Sequence, residues 1–188
     1  MHALLVLALF LCAPFAAFAQ VVPYTLDRDR STVVFTFDMA GTPTQGAMPI
    51  SAADIRLNLG SIEDSSANVT MNAAAARTGQ SFADEAMHGA GVLSTKEFPT
   101  MRFRTTGFEG DFNGGMVTGL LTLRGITQPV VMQANIYRQR GSADNDVSRL
   151  SVLLTGTVDR RVFGADGFPA IVSPHIKFEV LARIDRAE

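Results

Sequence analysis

The residues best suited to chemistry in this sequence are two neighbouring carboxylates and a histidine, Asp84, Glu85 and His88. On a helix, Glu85 and His88 would share a face, where they could act as a general acid and base or as two ligands of a metal ion. The sequence holds no second Glu-x-x-His unit, and His175 stands alone. Acidic residues early in a helix often serve solubility and the helix dipole instead. We therefore expect no enzyme, no catalytic residues and no metal site, and keep an acid–base or metal-dependent enzyme using Glu85 and His88 as the weaker alternative.

Three basic residues near the C-terminus, Arg160, Arg161 and Lys177, could bind an anionic or quinone head group, since guanidinium groups suit phosphate well. Solvated surface charges are the simpler interpretation of all three. The sequence has no Gly-x-Ser-x-Gly elbow, no phosphate-binding glycine loop and no dinucleotide fingerprint. The common nucleophilic and nucleotide chemistries therefore lack their parts, and we expect no cofactor.

Length and composition fit one compact domain, because the 188 residues are 47% hydrophobic and 18% charged. The formal net charge of −2 supplies no broad positive field for a phosphate backbone. Nucleic acid is therefore not an expected partner.

Residues 1–19 have the character of a secretory signal peptide. They are apolar after His2 except for Pro14, and Ala17-Phe18-Ala19 gives the small-x-small pattern of a cleavage site. A membrane anchor would need a longer unbroken run. We expect these residues to be removed together with the one cysteine, which leaves residues 20–188 as a single mature domain in the periplasm or outside the cell.

Alternation of apolar and polar residues, typical of half-buried strands, recurs in eight segments. The segments span residues 33–39, 55–59, 69–75, 101–105, 119–123, 130–136, 150–156 and 176–182. Eight antiparallel strands with one apolar face either split into a sandwich or close into a barrel, and closure removes exposed edges. An eight-stranded barrel is just wide enough to be filled by side chains or to hold one small ligand.

Turn signals separate several of these segments. Asn113-Gly114-Gly115 predicts a hairpin turn, Arg124-Gly125 through Pro129 a short reversal, and Gly141 to Asp146 a polar loop. Helical character is confined to one stretch, from Ser81 as N-cap to about Val92, with Gly89 near its end. The prediction is an all-β, eight-stranded antiparallel barrel with one short helix near one end.

Several motifs resemble those of the YceI-like, polyisoprenoid-binding periplasmic family. Tyr24-Thr25-Leu26-Asp27 followed by Ser31-Thr32-Val33-Val34-Phe35 resembles its first strand, and Phe98-Pro99-Thr100-Met101-Arg102-Phe103 a later strand start. The run from Gly119 to Val130 (GLLTLRGITQPV) closely resembles its most specific motif, and Gly156 to Gly164 (GTVDRRVFG) its closing signature. The resemblance covers essentially all of the mature chain. Val162 departs from it, because the family commonly has an acidic residue there.

The resemblance implies a lipocalin-like barrel that encloses a long apolar ligand, typically an isoprenoid chain. On this basis we expect an exported, non-catalytic carrier or sequestering protein whose cavity opens beside the helix. A barrel filled by its own side chains, acting as a structural or interaction subunit, remains open, and so does the choice between a gating lid and a permanent plug for the helix. Contact with membranes is expected to be transient at most, and a homodimer is left open.

The expected ligand-binding residues come from the apolar faces, from the helix and from the closing signature. They are Phe35, Phe37, Met71, Phe82, Met87, Phe103, Leu121, Val152, Arg160 and Phe178. Among the three basic residues, Arg160 has the best claim to contact a head group, because it coincides with the closing signature of the family that the chain resembles. Large side chains such as Phe35 alternate along the barrel with small ones such as Ala134 and Gly156. Small inward residues leave space for a ligand.

Overall fold

A computed structural model describes residues 20–187, which form one antiparallel sheet of ten strands and a single α-helix, α1 (Ser81–His88). The strands are β1 (Val21–Leu26), β2 (Thr32–Met39), β3 (Thr42–Met48), β4 (Ile50–Asn58), β5 (Ser66–Asn72), β6 (Thr100–Asp111), β7 (Gly114–Leu123), β8 (Ile126–Arg138), β9 (Arg149–Asp159) and β10 (His175–Arg186). The predicted signal peptide, residues 1–19, lies outside the described residues.

The ten strands close into a barrel with eight positions. Strands β1 and β2 pair with the two halves of β10, so that together they occupy one position. Strand β4 pairs with β1, and strand β3 pairs with β2, so that β3 and β4 together occupy the next position. Strands β5 to β10 follow as a meander and close the ring on β1. The predicted eight-stranded antiparallel barrel with one helix is therefore confirmed.

Each divided strand is interrupted where its ladder hydrogen bonding breaks. Between β1 and β2 the chain bulges at residues 27–31, and Ser31 bridges the gap because its hydroxyl donates to the Asp27 carbonyl and accepts from the Arg183 amide. Between β3 and β4 stands Pro49, which has no N–H to donate to a ladder. These two interruptions divide each position of the barrel between two short strands.

Local boundaries differ from the sequence predictions at several places. The segment predicted to run through Ala75 leaves the sheet after Asn72, because Ala73–Ala75 form a 3₁₀ turn whose Ala75 amide donates to the Asn72 side chain. The predicted reversal through Pro129 is only the two-residue turn Arg124–Gly125, both with positive φ, and Pro129 lies within β8. Helix α1 ends at His88 rather than near Val92, since Gly89 adopts an extended conformation.

The barrel interior has two unlike halves. In one half, which we call the filled half, Tyr24, Ile55, Ile136, Leu150 and Ile184 meet in a buried apolar cluster. The other half, which we call the cavity half, is surrounded by a second cluster and lies under α1. No helix within residues 20–187 is long and apolar enough to cross a bilayer.

Candidate ligand-binding site

The cavity half encloses an apolar space of about 220 Å³. A single water needs roughly 10–15 Å³ of such space, so the cavity is far larger than a packing defect. Side chains from the barrel strands form its walls, and α1 with the segment 165–172 borders it at one end. Arg160 is the one charged residue in the lining formed by residues 20–187. Apolar cavities of this kind exclude water and accept apolar guests.

Three phenylalanine rings lie against the cavity wall over three glycines. A Cβ atom added to any of these glycines would stand less than 3.0 Å from a ring carbon. Each ring therefore occupies the space that a side chain on the neighbouring strand would fill. The pairs are Phe35 with Gly46, Phe103 with Gly119, and Phe178 with Gly156. Because the rings cover the wall at these points, the glycines keep the centre of the barrel open.

The mouth of the cavity is bordered by α1, by the segment 164–173 and by the end of the β2–β3 hairpin. Phe82 is 68% exposed, and Phe168 and Ile171 are each 47% exposed, yet all three also line the cavity. Met39 pairs with Val172 in an isolated bridge that joins the hairpin to the segment 164–173. The opening is therefore rimmed by large apolar side chains.

The Arg160 side chain holds the segment 164–173 in place by hydrogen bonds to its main chain. This side chain is buried, since the residue is only 4% exposed. Its Nε donates to the Ser173 carbonyl at 2.9 Å and its Nη2 to the Val172 carbonyl at 3.0 Å, while Nη1 donates to the carbonyls of Ala165 and Gly167. The surface-charge prediction is therefore wrong for Arg160: four of its five N–H groups bind the main chain.

The neighbouring basic residues behave as predicted, because Arg161 and Lys177 are both exposed. Arg161 forms an ion pair with Asp159, its Nη2 lying 2.6 Å from Oδ2. This hydrogen-bonded guanidinium lowers the pKa of Asp159 to about 2. The pair thus stays charged through the ordinary pH range.

His88 connects α1 to the chain on either side of it. Its Nδ1 lies 3.1 Å from Thr95 Oγ1, and its Nε2 lies 3.0 Å from the Ala76 carbonyl oxygen. At the other end of α1, Asp84 accepts hydrogen bonds from the amide and hydroxyl of Thr78, which lower the pKa of its carboxyl. Ser81 is not the N-cap, because Gln80 takes that position without a side-chain hydrogen bond. These contacts fasten the helix over the barrel.

The acid–base or metal hypothesis gains no support from this geometry. Both ring nitrogens of His88 already have protein partners, and Glu85 is exposed. Within residues 20–187 no three His, Cys, Asp or Glu side chains are grouped so that they could hold a metal ion.

The family model of the YceI-like domain matches residues 24–184. The chain belongs to this family. Protein YceI of Escherichia coli O17:K52:H18 is 33% identical over 72 residues, which cover 38% of this chain and 38% of that relative. The match therefore spans well under half of the relative's length.

Two solved structures share the YceI-like barrel. Burkholderia cenocepacia BcnA superimposes with a TM-score of 0.75 at 18% identity, covering 85% of this chain and 99% of that one. A polyisoprenoid binding domain from Saccharophagus degradans, implicated in plant cell wall breakdown, superimposes with a TM-score of 0.64 at 11% identity, covering 88% and 99%. At these identities the likeness establishes the fold.

Nearly all the residues expected from the sequence to bind a ligand line this one cavity of the YceI-like barrel. They are Phe35, Phe37, Met71, Phe82, Met87, Phe103, Leu121, Arg160 and Phe178. Val152 does not, because it lies further along β9 and packs against the cluster of the filled half. Alternation predicts which side chains of a strand point inward, but not where along the barrel the side chains fill the interior.

Sequence reasoning missed two contributors to the lining. Strand β3 supplies Met48, but its segment Thr-Pro-Thr-Gln-Gly reads as a turn because it combines Pro43 and Gly46. The segment 165–172 supplies Phe168, Ile171 and Val172. Its only sequence signal is a short apolar run after Pro169, which is too brief to predict a cavity wall.

Proposed function

We propose that this YceI-like protein binds one long apolar lipid in the cavity half of its barrel and acts as a non-catalytic carrier or sequestering protein. The observation that carries the proposal is the apolar cavity of about 220 Å³ inside a closed barrel. An empty cavity of this size forfeits dispersion contacts along its whole wall, and an alkyl chain would restore them.

The polarity of the lining favours a ligand that enters tail first. Arg160, the charged residue of the described lining, is committed to four main-chain carbonyls. A polar head group inside the cavity would lose its hydrogen bonds to water without full replacement, which costs about 1–3 kcal/mol. The head group is therefore expected to stay at the mouth, near Phe82 and Phe168.

An isoprenoid-type chain is the tail that we propose. The structural neighbour from Saccharophagus degradans is described as a polyisoprenoid binding domain, and the motifs in this chain resemble those of the same family. Each buried methylene contributes about 0.8 kcal/mol, so a five-carbon unit contributes roughly 4 kcal/mol before ordering costs are subtracted. The proposed tail contacts are the lining side chains named above, with Phe35, Met71, Phe103 and Phe178 on the walls and Met87 beneath α1.

The filled half limits how much of a chain the barrel can hold. Leu150 and Ile184, both 0% exposed, belong to the buried apolar cluster of that half. Affinity is therefore expected to rise with tail length until the cavity half is full, and then to level off because further units remain outside the mouth.

Prenols that share one hydroxyl head and differ in tail length test this proposal. We expect affinity for the purified barrel, measured by displacement of a fluorescent fatty-acid probe, to rise at least tenfold from geraniol to farnesol. A further rise to geranylgeraniol should be smaller than the first. Equal affinities for all three, or no binding, would contradict the proposal.

Export is part of the same proposal. Residues 1–19 are proposed to be the signal peptide and residues 20–188 the mature domain, located in the periplasm or secreted. Lipids that must cross an aqueous compartment need a carrier that removes their tails from water, and the apolar cavity meets that need.

A further inference from the structure

We propose that the rim of the cavity mouth docks on the surface of an electroneutral lipid bilayer, from which the tail passes directly into the barrel. The rim consists of Phe82, Phe168 and Ile171, which border the mouth, and of Ile126 and Val162, which adjoin Gly164 at the start of the segment 164–173. The route of the tail rests on the proposed function, whereas the docking surface is carried by the rim itself.

Exposed apolar side chains are concentrated at this end of the barrel. Residues 20–187 expose nine large hydrophobic residues, and the five rim residues are among them. Phe82, Phe168 and Ile171 border the cavity directly. Val162 belongs to the turn that begins with Arg160, and Cδ1 of Ile126 stands 3.6 Å from the position that a Cβ on Gly164 would occupy. Exposed apolar residues concentrated at one end of a molecule are typical of surfaces that bind proteins or membranes.

The rim is held in shape rather than loosely attached. Arg160 binds carbonyls on both sides of Phe168 and Ile171. The Ala40 amide donates to the Ile171 carbonyl at 2.7 Å, and the Gly167 amide donates to the Gly91 carbonyl at 2.7 Å. Phe168 and Ile171 therefore stand on a segment anchored at three points, so the exposure of these two side chains is a property of the fold.

Phe168 is presented to solvent by an unfavourable backbone conformation. Its φ of +57° lies in the left-handed region, which is unfavourable for a residue with a Cβ. The anchored segment maintains this conformation while leaving the ring 47% exposed. Backbone strain of this kind concentrates at functional sites. An apolar partner would bury the exposed Phe168 ring.

The charges around the rim favour a neutral bilayer over an anionic one. Helix α1 carries Asp84 and Glu85, with Arg77 3.0 Å from His88 Nε2. The turn leading to Phe168 carries Asp159 and Asp166 with Arg160 and Arg161, and Arg124 beside Gly164 donates to the Ala90 and Val92 carbonyls. The four carboxylates are therefore balanced by four guanidinium groups, of which Arg160 is buried and Arg161 is paired with Asp159. The rim therefore offers no excess positive charge to acidic head groups, and apolar insertion must supply the binding free energy.

Flotation with lipid vesicles tests this surface directly. The test variants are Val162→Asp and Ile126→Asp, singly and together, because neither residue lines the cavity. The matched control is Val131→Asp, a 52% exposed valine on the outer wall of β8. Thermal melts of every variant show whether the barrel remains folded, and the two single variants provide separate tests if the double variant does not.

We expect the unmodified protein to float with phosphatidylcholine vesicles, and the bound fraction to change less than twofold when one third of the lipid is phosphatidylglycerol. The folded rim variants should bind at least fivefold less, and Val131→Asp within twofold of the unmodified protein. Equal binding by the rim variants, an equal loss in the control, or binding that requires phosphatidylglycerol would overturn the proposal.

A parallel measurement separates this inference from the proposed function. Geranylgeraniol is delivered to the unmodified protein from cyclodextrin, with no vesicle present. Binding of the prenol without binding of vesicles would overturn the docking surface and leave the carrier proposal intact. Binding of vesicles without binding of the prenol would support the docking surface and remove the carrier role.

Discussion

Replacing Gly156 by alanine is expected to narrow the cavity without unfolding the barrel. A Cβ at position 156 would stand 3.0 Å from Cε1 and 3.1 Å from Cε2 of Phe178, and closer still to Cζ. Since carbon atoms pack at about 3.5–4.0 Å, the ring must move by about 1 Å or more. The nearest atoms all belong to this one ring, so the movement is a rotation away from the wall of β9 and into the cavity.

The fold should tolerate this change. Alanine reduces the conformational entropy of the unfolded chain, which stabilises a protein by about 0.4–1 kcal/mol, and an off-rotamer ring costs about 0.5–1.5 kcal/mol. The free energy of unfolding should therefore change by less than about 1 kcal/mol. A ring that displaces one or two methylenes of the ligand removes about 0.8–1.6 kcal/mol of binding free energy, which weakens affinity by roughly 4- to 15-fold.

Farnesol titration and urea denaturation of the same samples measure both effects. Gly107→Ala is the matched control, because the added Cβ would meet only the Thr118 hydroxyl, at 2.9 Å. This contact lies outside the cavity lining. Combining Gly156→Ala with Phe178→Leu should recover part of the lost affinity. Unchanged farnesol affinity in a folded Gly156→Ala protein would refute the idea that the ring and the glycine together set the width of the cavity.

Two further substitutions test the division of the barrel and the role of the buried arginine. Leu150→Ala, in the filled half, should lower the free energy of unfolding by about 2–5 kcal/mol, because Leu150 is 0% exposed. Farnesol affinity should stay within twofold, because Leu150 does not line the cavity. A large loss of affinity would contradict the division of the barrel interior into a filled half and a cavity half. Arg160→Met should destabilise the protein by at least about 2 kcal/mol, since buried carbonyls lose charged donors. In Arg160→Met, hydrogen exchange at the Gly167 and Ile171 amides should accelerate, whereas Arg160→Lys should retain partial protection. Unchanged exchange in Arg160→Met would show that other contacts hold the segment 164–173.

The barrel was predictable because its period-two pattern is strong where strands are half-buried. Segments such as 130–136 and 176–182 carry an unbroken apolar face, and closure follows from the need to protect strand edges. The divided strands were not predictable, since β3 contains Pro43 and Gly46 in a run that reads as a turn. Its glycine has a structural purpose, to receive the Phe35 ring, that becomes visible only when two strands are paired.

The site was predictable in its composition but not in its extent. Inward positions of the strands gave most of the cavity lining, because alternation determines which side of a strand faces inward. The same pattern places Val152 on the inward face. Only the packing of Ile136, Leu150 and Ile184 shows that side chains fill the interior beside Val152. Arg160 illustrates a second limit, since a charged residue reads as a surface residue until the four carbonyls around it are known.

Lipid analysis of the mature protein purified from its native compartment tests the central claim most directly. Native mass spectrometry, followed by organic extraction and identification of the extract, reports both stoichiometry and chemistry. The account predicts one long-chain apolar lipid of isoprenoid type per polypeptide, released intact on extraction. Protein that carries no lipid and takes up none when exposed to prenols would contradict it.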